Sequence, residues 1–159
     1  MPKTIDPTAE RTPQGQLVEN TLSGVIGYQL AQAEIVTSRN FDQHVRGPFA
    51  LRPVEFSLIA LMKDNPGATP ARMAKALAVT AASVTMMVDR LSNDGLVRRQ
   101  VNPEDRRAQH LFLTPEGERV VTESVRCVMQ GEAERLAHLT FAERAMLIEL
   151  LRKVSRARV

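Results

Sequence analysis

The sequence is poor in residues that chemistry at a site usually needs. It holds one cysteine and three histidines in 159 residues. A single cysteine excludes an internal disulfide framework and fits a cytosolic protein. His44, His110 and His138 fall in different segments with no ligand-like spacing. There is no Cys/His pair, glycine-rich phosphate loop or paired acidic motif. The residues thus point to no catalytic, metal or cofactor site. No apolar run is long enough to span a bilayer. The opening MPKTIDPTAERTPQGQ lacks the hydrophobic stretch of a secretory signal, so a cytoplasmic protein without a membrane partner is expected. Net charge is also small, +3 at neutral pH. If the partner is a nucleic acid, the distribution of arginine has to matter more than the total.

What is present is concentrated in residues 69–114. Thr69-Pro70 starts a helix, because Thr caps and Pro at the first helical position loses no needed N–H. A second helix runs from Thr80 to about Asp94, where Gly95 can take the left-handed conformation that ends a helix. Only Ala78 and Val79 lie between the two, which makes a helix-turn-helix. In such a unit the second helix enters the DNA major groove with its N-terminal residues toward the base edges. Val84, Met87, Val88 and Leu91 form its apolar stripe. Thr80, Ala81, Ala82, Ser83, Thr85, Met86 and Asp89 fall largely outside that stripe. Ser83 and Thr85 are the leading groove candidates, Ala82 and Met86 apolar contacts, and Thr80 a cap that also reaches a phosphate. The same pattern fits an ordinary helical hairpin inside a bundle.

Leu96–Val101 and His110–Leu113 have strand character. The connection Asn102-Pro103-Glu104-Asp105-Arg106-Arg107 has the residues of an exposed turn. Together they make a hairpin with a cationic tip, the wing of a winged helix. Arg106 and Arg107 suit phosphates or a narrow minor groove. Asp105 pairs with Arg107 and fixes its direction. Arg72, Lys75, Arg98 and Arg99 are further phosphate candidates. A solvated surface hairpin is the alternative, since Glu104 and Asp105 offset two of the four arginines.

These residues resemble the MarR (multiple antibiotic resistance regulator) family of winged-helix transcription factors. The resemblance rests on VDRL-x(3)-GLV at 88–97 and NPEDRRAQHLFLTPEG at 102–117. The second stretch contains the family's D-x-R tip, Asp105-Arg106-Arg107, and its L-T-x-x-G junction, Leu113 to Gly117. The resemblance covers roughly residues 15–157. It implies a homodimer on a pseudo-palindromic operator, usually repression, and a small-molecule effector that releases DNA. The family often has a basic or polar residue where this chain has Met86, which favours a thymine-methyl contact there. The resemblance also implies an effector pocket between the dimer helices and the winged helix. Tyr28, His44, Arg46, Arg52 and Met62 are the candidate lining, and Arg or His beside apolar walls suits an aromatic carboxylate or an acyl thioester.

The expected architecture is therefore mainly α with a small β-wing: a winged helix-turn-helix domain flanked by N- and C-terminal dimerisation helices. Residues 1–13, with three prolines, read as a flexible arm. The dimerisation region begins with residues 14–46, helical from about Gln14 to His44. At about 1.5 Å per residue that helix exceeds 40 Å, too long for one small domain to cover, and its apolar excess calls for a partner chain. Gly47-Pro48 is expected to break it. Residues 47–114 form the winged helix, and a first helix over 53–64 turns Val54, Leu58, Leu61 and Met62 to one side. Residues 115–159 carry two further helices, one starting at Thr114-Pro115-Glu116 and one at Thr140 with Glu143 completing a capping box. Two other readings stay open. One is a redox- or metal-responsive regulator on the same scaffold, through Cys127 or distant ligands, although a cysteine among apolar neighbours is more often buried and inert. The other is a helical protein-interaction module without DNA binding.

Overall fold

The computed structural model describes residues 10–101 and 109–157. The chain divides into two compact units, Met1–Arg39 and Asn40–Val159.

In the first unit the helix expected from Gln14 begins only at Ile26, as α1 (Ile26–Phe41). Residues ahead of it form a tight reversal in which Arg11 bridges Val18. Gly15 (φ +76) and Gln16 (φ 52) take left-handed backbone there. The Leu17 backbone N–H donates to the Thr12 hydroxyl at 3.1 Å, and Arg11 Nη1 donates to the Gln16 carbonyl at 2.7 Å. The apolar spacing of Leu17 and Leu22 imitates a helix. Pro13 and the two left-handed residues settle the backbone otherwise, since left-handed φ is incompatible with a right-handed helix.

In the second unit the chain passes from α1 through a π-helical turn, Asp42–Arg46, into the short α2 (Gly47–Phe49). Gly47-Pro48 is thus not the break that was expected. The π turn widens the bonding to five residues, and the Gly47 N–H donates to the Asp42 carbonyl. The reversal comes at Ala50, which is left-handed (φ 53). α3 (Pro53–Asp64) follows. Its buried residues are Glu55, Leu58, Ile59 and Met62, so Leu58 and Met62 lie inward as expected, while Val54 is exposed and Glu55 is an unexpected member of the inward face. Glu55 can lie inward because its carboxylate accepts the Arg52 backbone N–H at 2.8 Å and an arginine described below.

The helix-turn-helix is α4 (Pro70–Leu77) and α5 (Ala81–Asn93). Thr69 and Thr80 cap them: Arg72 N–H donates to the Thr69 hydroxyl and Ser83 N–H to the Thr80 hydroxyl. Each such cap is worth about 1 kcal/mol. Ala78, left-handed at φ 53, makes the turn between them. Val84, Val88 and Leu91 place α5 on the core with at most 1 % exposure. Full burial of side chains of this kind contributes roughly 1.5–3 kcal/mol each.

β1 (Val97–Val101) and β2 (Gln109–Leu113) pair antiparallel, Val97 with Leu113 and Arg99 with Leu111. β2 is also bonded on its other edge: Gly67 N–H donates to the Leu111 carbonyl, and Leu111 N–H to that of Ala68. The pairing is one residue pair long.

α6 (Pro115–Arg135) starts at a Thr114 cap and buries Gly117, Val120, Val121, Ser124 and Gly131. Its expected stripe residue Met129 is exposed. Gly131 is where α6 meets the π turn. A Cβ there would lie 2.3 Å from Asn40 Oδ1 and 2.6 Å from His44 Nε2. Asn40 is buried and its amide donates to the Val128 carbonyl at 3.0 Å. α7 (Phe141–Arg156) has the predicted capping box, but none of its residues is buried. Leu147, Leu150, Leu151 and Val154 remain 40–49 % exposed. No single helix among the described residues is long and apolar enough to cross a membrane.

Candidate nucleic-acid interface

α5 presents a narrow strip to solvent. Ala82, Thr85 and Met86 are exposed and Ser83 is half-buried. Met86 is the most open large apolar residue of the helix-turn-helix, at 73 %. The polar groups beside it are bonded locally: the Thr80 and Ser83 hydroxyls lie 2.8 Å apart, and the Thr85 hydroxyl donates to the Ala81 carbonyl at 3.1 Å. Their second lone pairs and the methyl-rich surface of Ala82 and Met86 are what the strip offers to a base edge.

The strip is held from both sides by two consecutive residues. Arg90 Nη1 donates to both carboxylate oxygens of Glu55, at 2.8 and 2.7 Å, and Nη2 donates to the Ala50 carbonyl at 2.6 Å. Glu55 is 2 % exposed, so this is a buried carboxylate whose two oxygens are bridged by one charged guanidinium nitrogen, with a backbone N–H as a further donor. Asp89, about 100° further round the helix, accepts from Arg99 of β1. Neither Glu55 nor Arg90 was singled out from the sequence. The signal was there in Asp89-Arg90, an acid and a base side by side within the VDRL motif between two core residues.

The cationic candidates divide by environment. Arg72 and Lys75 are exposed on α4. Arg98 stacks on Phe112, its guanidinium carbon 4.4 Å from the ring centre. Arg99 is engaged with Asp89. Asp105, Arg106 and Arg107 lie outside the described residues.

Within the second unit, His44 and Met62 do not join Arg46 and Arg52. Arg46 and Arg52 border an open cleft of about 690 Å³ whose walls include Val54, Val79, Met86 and Met87. Met62 is not among them, because its 1 % exposure belongs to the core. His44 instead sits against Gly131. Tyr28 is in the first unit, where its hydroxyl donates to Glu19 at 2.6 Å, and that bond to a carboxylate raises its pKa. Cys127 is half-buried, its Sγ 3.8 Å from Glu123 Oε1 and 3.7 Å from Arg126 Nη2. Arg126 holds the Glu123 carboxyl below its ordinary range. Among the described residues no group of three or more His, Cys, Asp or Glu side chains is placed to hold a metal.

A sequence profile of the MarR family matches residues 51–108, from the start of the winged helix into the wing. The helix-turn-helix and the first strand of the wing stem fall within the matched residues. Over these residues the chain is similar to the MarR family. A relative from Thauera aromatica, a putative transcriptional regulatory protein for the hcr operon, is 29 % identical over 141 residues, 89 % of this chain and 85 % of that one. The transcriptional repressor CouR, solved bound to a 23-mer DNA duplex, superposes with a TM-score of 0.80 at 28 % identity, covering 87 % of this chain and 98 % of that one. BpsR of Bordetella bronchiseptica, solved to explain regulation of its DNA binding by 6-hydroxynicotinic acid, gives 0.71 at 29 % identity over 82 % and 98 %. This chain is thus similar to MarR-family transcriptional regulators and has a winged-helix fold that DNA-bound relatives share.

Proposed function

We propose that the chain is a cytoplasmic, homodimeric repressor that reads a pseudo-palindromic operator and leaves it when a small anionic ligand binds. The observation that carries the DNA reading is the α5 strip. One side of the helix is wholly engaged in the core, and the other offers small and methyl-bearing side chains at its N-terminal half. Ser83 and Thr85 make the polar base contacts, Ala82 and Met86 the apolar ones, and Met86 favours thymine. Thr80, Arg72, Lys75 and Arg98 approach phosphates, and Arg106 and Arg107 serve the wing.

The dimer reading is supported by α7, whose apolar side is left half-exposed by the described residues. Two copies sharing that surface would present two recognition helices about one DNA turn, roughly 34 Å, apart. The ligand reading is supported by the cleft between Arg46, Arg52 and the apolar walls. A flat aromatic carboxylate, or the acyl thioester kept as a second class, would meet cations at the rim and Met86 at the wall. BpsR offers a parallel in an aromatic acid.

Selection of duplexes from genomic fragments by the purified protein tests the reading. Recovered operators should carry inverted half-sites, and log K should fall with log salt by about 0.9 per phosphate contact. Met86→Ala should relax preference at one thymine position per half-site, and Arg107→Ala should weaken binding with the fold intact. A protein that recovers no duplex at low ionic strength is not an operator-binding repressor. One whose operator affinity is unmoved by aromatic acids and acyl thioesters lacks the ligand response assigned here.

A further inference from the structure

Asp89 lies one helical turn beyond Thr85 and Met86 and shares their exposed side of α5. A free carboxylate there would repel the phosphates that this surface is built to meet. It is not free, because its Oδ1 accepts from Nη2 of Arg99. Arg99 pairs with Leu111 in the wing stem, and Leu111 is 0 % exposed. The alternation of a strand therefore turns Arg99 inward, toward the helix, and Arg98 outward over Phe112. Only 30 % of the Arg99 side chain is open to solvent.

We propose that the Asp89–Arg99 pair is a strut that sets the spacing between the recognition helix and the wing, so that Arg99 is a positioning residue and not a phosphate contact. The proposal rests on the reading of α5 and the wing as the DNA surface. Arg90 already ties one flank of α5 to α3 through Glu55. Without a tie on the other flank, no side chain of α5 outside the core would hold the stem, which is otherwise located by its hydrophobic packing, the short turn at Gly95 and the backbone bonds to Gly67, Ala68 and Thr114. A partly exposed ion pair of this kind adds little to folding stability. What it fixes is an angle, and a groove reader with two arms depends on the angle between them.

The two roles for Arg99 give opposite signs for one substitution. If the pair is a strut, Asp89→Asn releases the stem, and affinity for the selected duplex falls three- to tenfold. If Arg99 holds a phosphate, the same change removes a repelling charge and frees a cation, and affinity rises. Arg99→Ala as a strut loses the same factor and leaves the salt dependence unchanged. As a phosphate contact it lowers the log–log slope by about 0.9. In the strut the double variant Asp89→Asn/Arg99→Ala is no weaker than either single one, and Arg99→Lys recovers most of the loss. The measurements are fluorescence anisotropy on the duplex selected by the wild-type protein, across a salt series, with urea denaturation showing that each variant is folded. Tighter binding by Asp89→Asn, or a lowered slope in Arg99→Ala, overturns the strut alone. A wild-type protein that selects no duplex overturns the DNA reading and the strut with it.

Discussion

A Cβ placed on Gly117 would stand 2.1 Å from the carbonyl oxygen of Leu96. The same carbonyl accepts the Thr114 N–H at 3.0 Å, and the Thr114 hydroxyl donates to the Gly95 carbonyl at 2.6 Å while accepting the Gly117 N–H at 3.0 Å. Thr and Gly of the L-T-x-x-G junction thus solve one problem together. They let the first turn of α6 rest directly on the backbone that leaves α5. Gly117→Ala should destabilise the fold by about 2–3 kcal/mol, within the range for overpacking of a close contact. Gly27→Ala is the control. A Cβ at Gly27, inside α1, meets nothing within 4 Å, so gain of helix propensity should stabilise by about 0.5–1 kcal/mol. Urea midpoints of the two variants, moving in opposite directions, check this.

Glu55 and Arg90 make the pair whose loss should cost most. Arg90→Ala strands a carboxylate that is 2 % exposed. Removing one partner of a buried pair costs roughly 3–5 kcal/mol, and the partly open Arg90 end places this case near the lower limit. Arg90→Lys keeps the charge but not the fork that spans both Glu55 oxygens and the Ala50 carbonyl, so it should recover less than half. Denaturant unfolding measures both. A loss below about 1 kcal/mol for Arg90→Ala would show that solvent screens the pair.

The uncovered side of α7 makes a prediction about assembly. Leu147→Asp with Leu151→Asp places two carboxylates on the apolar side of a helix that has no buried residue of its own. Sedimentation should show the wild type as a dimer and this variant as a monomer with reduced helicity, because a lone helix of this length is marginal in water. A wild-type protein that sediments as a monomer would remove the dimer from the proposal.

Acidification should loosen the start of α7. The Glu143 carboxylate accepts from the Thr140 backbone N–H and hydroxyl, each at 2.7 Å, and these bonds hold its pKa below the ordinary 4.5. A depressed carboxyl contributes stability fully above its unfolded value and loses it as pH falls through the folded one. Glu132 works in the other direction. Burial raises its pKa, so its charge opposes folding above that value and protonation relieves it. Glu143→Gln should therefore cost stability at pH 7 and progressively less below 4.5, whereas Glu132→Gln should gain stability at pH 7. Urea midpoints at several pH values separate the two.

The signals that were legible in the sequence are local ones. Thr69-Pro70, Thr80, Thr114-Pro115 and Thr140 mark helix starts because a cap and its first turn lie within four residues of each other. The wing stem is visible for the same reason, since strand alternation needs only five residues. The N-terminal helix was overread because the apolar spacing continues through Pro13, Gly15 and Gln16, and periodicity carries no penalty for left-handed backbone. Glu55 was missed on the inward face of α3 because it looks like a surface acid until Arg90, 35 residues later, is brought to it. The cleft is not legible as a unit: Arg46 and Arg52 come from one stretch, but Met86 and Met87 arrive from α5, and only the folded chain shows that they line one opening. His44 was assigned to that cleft on resemblance, and the reason it packs elsewhere is Gly131, nearly ninety residues away.

The division of labour along α5 has an evolutionary corollary. Val84, Val88 and Leu91 are committed to the interior, Thr80 to the cap, and Asp89 and Arg90 to the neighbouring elements. Those positions tolerate little change whatever sequence the protein addresses. On the proposed reading of α5 as the DNA-facing helix, Ala82, Ser83, Thr85 and Met86 are the residues left to meet bases, so descendants of such a regulator can be retargeted by rewriting four letters on an unaltered frame.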